Sequence, residues 1–252
     1  MINPLELTGK TILVTGASSG IGQATAIYLS RLGGKIVAVG RDHQRLQDTI
    51  SRMEGGCHTV ISFDLNDVEQ IPGWMKQVAA AAGPLYGLVH SAGIALYRPL
   101  KVLSYKNLVD MQRINVDAAI MLTKGFQQNG VCEKSGASVV FVSSVAALKG
   151  EPSLAGYSST KGALVSVVRT LAVELASQKI RVNCICPGHV QTGMAEHTRE
   201  TLPAYNMGEL EKKHPLGLGT PEDVAYAAAW LLSPSARWIT GTNVVLDGGY
   251  TA

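Results

Sequence analysis

Seven short runs of β-branched and other apolar residues recur along the chain, separated by longer stretches of helical spacing. They are "TILVT" (11–15), "KIVAV" (35–39), "HTVIS" (58–62), "YGLVH" (86–90), "SVVFVS" (138–143), "IRVNCI" (180–185) and "NVVL" (243–246). A strand with one wet face alternates polar and apolar residues. These runs are almost continuously apolar, so both of their faces must be covered, as in a parallel sheet clothed by helices. The helical stretches fall at 20–33, 43–53, 67–82, 104–129, 155–178 and 221–232, the last with Thr220 as N-cap and Pro221 at the first helical position. The alternation reads as an α/β, doubly wound Rossmann fold. With 252 residues, 46% of them hydrophobic, the chain suits one domain spanning 1–252 with a large core. No run dominated by Pro, Ser or charge marks a linker, and no repeat of a solenoid period appears.

The first strand leads into "TGASSGIGQATAIYLSRLG", in which Gly16, Gly20 and Gly22 hold the spacing G-x-x-x-G-x-G. Gly16 permits a tight exit from the strand, Gly20 lets backbone approach a pyrophosphate, and Gly22 lets the helix pack close to the sheet. The positive end of that helix then meets the phosphates of a dinucleotide. An NAD site usually places an acid at the end of the second strand for the ribose hydroxyls. Here "VAVGRD" has Gly40, followed by Arg41, whose guanidinium can pair with a 2′-phosphate. NADP(H) is therefore preferred, and Asp42 beside Arg41 leaves NAD(H) possible. Asp64 closes the third strand, where it can hold the adenine amine or cap the next helix.

A formal charge of +3 is mild and unclustered, so nucleic acid is not implied as a partner. Nor is a membrane: the most apolar stretch, "ALVSVVRTLAV", is broken by Arg169, and "MINPLELTGK" lacks the basic start and apolar core of a signal peptide. The expected location is cytoplasmic. Cys57, Cys132, Cys184 and Cys186 have neither zinc spacing nor bridging geometry, and no metal is expected.

In "GYSSTKGAL" (156–164) Tyr157 and Lys161 stand four residues apart, one turn on a single helix face. A cation beside a phenol favours the phenolate and moves the tyrosine toward acid/base work.

Taken in order, "TGASSGIG", Asn115 in "INVDAA", Ser144 in "VFVSSVAA", "YSSTK", "CPGHVQT" and "ITGTNVVLDGGY" resemble the short-chain dehydrogenase/reductase family over essentially the whole chain. "HPLGLGTPEDVAYAAAWLL" looks particularly like its 3-oxoacyl-carrier-protein reductase branch. The family's serine lies thirteen residues before its tyrosine, and 157 minus 13 gives 144, selecting Ser144 over Ser143. The resemblance implies a seven-stranded sheet of order 3-2-1-4-5-6-7 and hydride transfer between a nicotinamide and a carbonyl or secondary alcohol.

In that scheme Tyr157 is the general acid/base and Ser144 orients the substrate oxygen. Lys161 lowers the tyrosine pKa and holds the nicotinamide ribose, and the main chain of Asn115 binds a water relaying protons to the lysine. The implied coenzyme contacts are Gly16, Ser18, Ser19, Gly20, Ile21 and Gly22 in the loop, then Arg41, Asp64 and Leu65. Ser91, Ala92 and Gly93 follow the fourth strand, where the family usually has Asn-Ala-Gly, and Tyr157 and Lys161 join them. Pro187, Gly188, Val190 and Thr192 follow the sixth strand, with His189 read as a loop residue. Residues 193–215 are expected to form a substrate lid, with Met194, Leu202, Tyr205 and Met207 on its inner side and Leu148 and Leu96 opposite.

In the carrier-protein branch two docking arginines would fall at Ser135 and Gln178. Their absence lowers that reading and leaves small carbonyl, sugar and keto-acyl substrates open. By resemblance, a homotetramer is expected, or a homodimer. A nucleotide-sensing protein with little turnover is the alternative.

Overall fold

The computed structural model describes residues 3–193 and 207–252. All seven strands join one parallel sheet: β1 (Thr11–Thr15), β2 (Lys35–Gly40), β3 (Thr59–Ser62), β4 (Gly87–His90), β5 (Ala137–Val142), β6 (Ile180–Pro187) and β7 (Asn243–Leu246), in the order β3-β2-β1-β4-β5-β6-β7. Every pairing is parallel. The expected order is thus the one observed; the five inner strands are buried on both faces as their apolar runs require, whereas the edge strands β3 and β7 stay partly exposed, Val245 by 44%. Leu13, Val37, Leu88, Val139 and Val182 bury into one side of the sheet, while Ile12, Ile36, Val89, Val140 and Ile185 bury into the other.

Helices α1 (Gly20–Arg31), α2 (His43–Ser51), α3 (Ile71–Ala82), α4 (Tyr105–Gln112), α5 (Ala118–Phe126), α6 (Ala155–Glu174), α7 (Met207–Lys212) and α8 (Pro221–Leu232) cover the two faces. α8 opens with the Thr220/Asp223 capping box and a proline in its first turn, as its sequence requires. Its final carbonyls are taken by partners on the sheet: Tyr86 Oη donates to Leu232 O at 2.7 Å and Ser138 Oγ to Leu231 O at 3.0 Å. Those bonds seat α8 on β4 and β5 without an unsatisfied helix end.

Three elements depart from the sequence reading. The helix expected at 67–82 begins only at Ile71, because Asp64 and Asp67 close a turn first. The helix expected at 104–129 is interrupted by a π segment, Arg113–Asp117, with Asn115 at its centre. Within the expected lid, Met207–Lys212 is helical. Met194, Leu202 and Tyr205 lie outside the described residues, as does the side chain of Met207.

Strand order reverses between β1 and β4, one side running to β3 and the other to β7. Ligands of doubly wound sheets bind at the carboxyl ends of the strands beside such a switch point.

Candidate active site

A cleft of about 530 Å³ opens at those strand ends. Its floor is the glycine loop, where Gly16 and Gly20 have φ of 69° and 51°, left-handed values that a side chain resists. A Cβ on Gly22 would stand 2.3 Å from Gly16 O, so only glycine lets α1 start this close to β1. Ser19 is the N-cap of α1 but no side chain caps the first turn, leaving amides directed at the cleft. Ser18, Ser19 and Ile21 complete this floor. The cradle fits a pyrophosphate.

Arg41, Asp64 and Leu65 line the far end of the same cleft, and Arg45 and Phe63 join them unanticipated. Asp42, which left NAD(H) open, is the N-cap of α2 and accepts from Arg45 N at 3.1 Å. Capping occupies that carboxylate, whereas neither Arg41 nor Arg45 has an ion pair among the described residues. Asp64 does not cap α3: its Oδ1 accepts from Asn66 N and Nδ2 at 3.0 and 2.9 Å, closing an Asx turn.

Ser91, Ala92 and Gly93 line the near end. A Cβ on Gly93 would meet Asn115 Oδ1 at 3.1 Å and lie 3.6 Å from Lys161 Nζ, so glycine lets three elements converge. The Asn115 side chain is fully engaged: Oδ1 accepts from Ile94 N at 2.9 Å, and Nδ2 donates to Ile94 O at 3.0 Å and Thr160 Oγ1 at 2.9 Å. It ties the π segment to the β4 exit and to α6. His90 and Thr15 are register neighbours on β4 and β1. Thr15 Oγ1 contacts His90 Nδ1 at 3.0 Å and accepts from Ala92 N at 3.2 Å, so this pair supports the turn that carries Ser91 in place of the usual asparagine. His90 Nε2 is buried against the Ile114 and Asn115 main chain. Burial first, then the nearby Lys161 charge, lowers its pKa to about 3 and keeps the ring neutral.

α6 presents Tyr157 and Lys161 to the site as their spacing requires. Both line the larger cleft, and Tyr157 also lines a second, smaller one with Ser144, Pro187, Gly188, Val190 and Thr192. The two neighbouring serines separate cleanly. Ser143 Oγ donates to Lys161 O at 2.8 Å, a structural bond, while Ser144 accepts from Ala146 N at 3.1 Å and acts on the Tyr157 hydroxyl, favouring its ionised form. The Lys161 ammonium lies 5.6 Å from the Tyr157 ring centroid and donates to Val142 O at 2.8 Å. The expected acidification of the phenol by Lys161 is not found: burial and Ser144 alone set the Tyr157 shift. Burial pushes Tyr157 up to about 12 against the Ser144 bond, and burial lowers Lys161 to about 8.

Leu148 lines neither cleft and is 49% exposed. Glu151, Leu154 and Tyr97 line the smaller cleft without any local sequence signal, and His189 lines it too, beyond its reading as a loop residue. Among the described residues no His/Cys/Asp/Glu cluster could hold a metal ion, and no helix is long and apolar enough to cross a membrane.

A helix-headed glycine loop opening, at the switch point of a parallel sheet, on a half-buried serine and tyrosine and a buried lysine defines an NAD(P)-dependent oxidoreductase. The family model described as Enoyl-(Acyl carrier protein) reductase matches residues 16–251. The chain is 35% identical over 227 residues to the inactive 2-(S)-hydroxypropyl-CoM dehydrogenase 2 of Xanthobacter autotrophicus, covering 88% of this chain and 97% of that protein. It is 31% identical over 253 residues to the NADP-dependent (R)-specific alcohol dehydrogenase of Lentilactobacillus kefiri, covering 98% of each. A putative 2-deoxy-D-gluconate 3-dehydrogenase from Agrobacterium tumefaciens, solved with bound NADP, superposes with a TM-score of 0.86 at 29% identity, covering 99% of each chain. The chain belongs to the short-chain dehydrogenase/reductase family.

Proposed function

We propose that this protein uses NADP(H) to interconvert a carbonyl and a secondary alcohol, with Tyr157 as general acid and base. The observation that carries the reading is that, among the described residues, Tyr157 alone of the acid/base candidates borders both clefts, with Ser144 lining the smaller one beside it. Bound NADP(H) supplies or accepts the hydride; the chain's residues do the rest.

The glycine loop with Ser18, Ser19 and Ile21 binds the pyrophosphate, and Arg41 with Arg45 binds the 2′-phosphate. Asp64, Leu65 and Phe63 flank the adenine. Ser91, Ala92, Gly93 and Lys161 hold the ribose side, and Pro187, Gly188, Val190 and Thr192 hold the carboxamide side. In reduction the substrate oxygen accepts hydrogen bonds from Ser144 and Tyr157, and Tyr157 delivers its proton as charge develops on that oxygen. A phenol held near 12 is fully protonated at neutral pH and ready to donate. In oxidation Tyr157 must first lose that proton, and the Lys161 ammonium on the next turn is the group that favours the phenolate. The main chain at Asn115, in the π segment, binds the water that resupplies the proton through Lys161.

The NADP-bound and NADP-dependent relatives support the coenzyme preference. Carrier-protein docking is disfavoured: Ser135 and Gln178 precede β5 and β6, at the opposite sheet end from the clefts, and bond to Glu133 and Gln127. The substrate class is small carbonyls, and the setting is a cytoplasmic homotetramer built on one domain.

The relative named as inactive favours one second reading, a coenzyme-binding sensor without significant turnover. Initial rates with NADPH and NADH over acetoacetyl esters, ketoses and cyclic ketones decide between them. Consumption of NADPH above NADH with at least one ketone is expected. Tight NADPH binding with no turnover across the panel selects the sensor.

A further inference from the structure

The smaller cleft carries a group that hydride transfer does not use. Glu151, on the segment between Ala147 and Ala155, lines it together with Tyr157, Ser144 and His189. Its side chain is 21% exposed and that of His189 15%. Glu151 Oε1 accepts from the Tyr250 hydroxyl and lies 3.5 Å from His189 Nε2, while Oε2 has no hydrogen-bond partner among the described residues.

This wall is held from behind. The Tyr250 ring stacks on His214 at 4.4 Å and 6° between planes, and the Lys149 ammonium sits 3.8 Å over the Tyr250 ring and donates to Tyr250 O at 2.7 Å. His214 is anchored in turn through Nδ1 to Leu210 O at 2.8 Å. The carboxylate therefore has little freedom to swing out to water. The His189 hydrogen bond, helped by that of Tyr250 and opposed by burial, holds the Glu151 carboxyl below its usual range. At neutral pH the cleft wall is an anion.

A fixed carboxylate repels an anionic substrate and gains nothing from an alkyl chain, which would strip its water without replacing it. It matches a hydrogen-bond donor. An ammonium would meet Lys149 behind the wall and Lys213, whose charge already acts on Glu151. A hydroxyl meets no such repulsion. It can donate to Glu151, whose carboxylate the His189 and Tyr250 contacts hold in place.

We propose that Glu151, with His189, is a substrate-binding element that selects an uncharged polyhydroxylated ketone, receiving a hydroxyl remote from the reacting carbonyl. The proposal rests on the carbonyl-reductase reading above and narrows its substrate class.

The test compares kcat/KM with NADPH for three ketones of one carbon skeleton: a ketopentose, 2-pentanone and 5-trimethylammonio-2-pentanone. Wild type, Glu151→Gln and Glu151→Leu are measured on the full chain, with NADPH binding followed by fluorescence to verify the fold of each. The expected result is wild-type preference for the ketopentose, with its ratio over 2-pentanone falling about 10- to 100-fold in Glu151→Leu and less in Glu151→Gln. Should Glu151→Leu lose NADPH binding, Glu151→Gln decides alone. A ratio constant within about threefold, or a wild type that favours the cationic ketone or 2-pentanone, overturns the inference and leaves the reductase reading standing. Turnover of none of the three together with none of the wider carbonyl panel removes both.

Discussion

The larger and smaller clefts share Tyr157 but are built from different materials. The larger is shaped by backbone: positive-φ glycines, an uncapped helix start, and a Gly93 whose missing Cβ lets Asn115 and Lys161 approach. The smaller is shaped by side chains from distant loops, Glu151, His189, His214 and Tyr250, braced against one another. A backbone cradle recognises what all dinucleotides share, whereas a side-chain wall can be rewritten one residue at a time. Under the proposed function, one half fixes the chemistry and the other chooses what it acts on.

Substitutions can break that division or sharpen it. The largest effect belongs at the seam: Tyr157→Phe should slow carbonyl reduction about a thousandfold or more, while NADPH titration gives the same Kd as wild type. Equal loss of binding and turnover would make Tyr157 part of the cradle and dissolve the distinction. Within the cradle, Gly22→Ala forces a Cβ against Gly16 O. Thermal melts should show about 1–3 kcal/mol of destabilisation, at about 2–4 °C per kcal/mol for a chain of this size, with NADPH restoring less of it than in wild type.

Smaller still is coenzyme choice. Arg41→Glu should lower the NADPH-over-NADH ratio of kcat/KM about 10- to 100-fold, and an unchanged ratio would place the 2′-phosphate elsewhere. A separate, pH-dependent effect concerns His90 under the switch point. Its pKa is about 3 in the fold against an ordinary 6.5 for histidine, so the fold favours the neutral ring. Stability is fully present above pH 6.5 and falls as pH drops toward 3, by about 1.4 kcal/mol per pH unit from this residue. Urea melts of His90→Asn between about pH 6 and 4 should show a shallower slope by that amount.

The difference between the clefts also governs what is legible in the sequence. β1, β7 and α8 can be read to the residue, because an unbroken apolar run and a Thr-Pro-Glu-Asp helix start leave local marks. So can the glycine loop, where each glycine answers a backbone demand. The π segment leaves none: its only trace is a polar Asn115 amid a helical run, and its geometry depends on Ile94 and Thr160. Glu151 and Arg45 have no mark either, since an acid after a turn and an arginine on an exposed helix are ordinary until the fold gathers their neighbours. The acidity of Tyr157 departs from expectation for a related reason. Sequence shows that a lysine is four residues away, but only packing reveals that its ammonium is bonded to Val142 O and that the phenol is buried.

The turn after β7 reaches further than its position implies. Asp247 takes hydrogen bonds from Gly249 N, Thr251 N and Thr251 Oγ1, knotting the segment that carries Tyr250. Through the Tyr250 hydroxyl the knot grips Glu151, 99 residues earlier in the chain. Loosening Thr251, a residue that touches no reacting atom, would slacken one side of the pocket where a substrate is told from its near relatives.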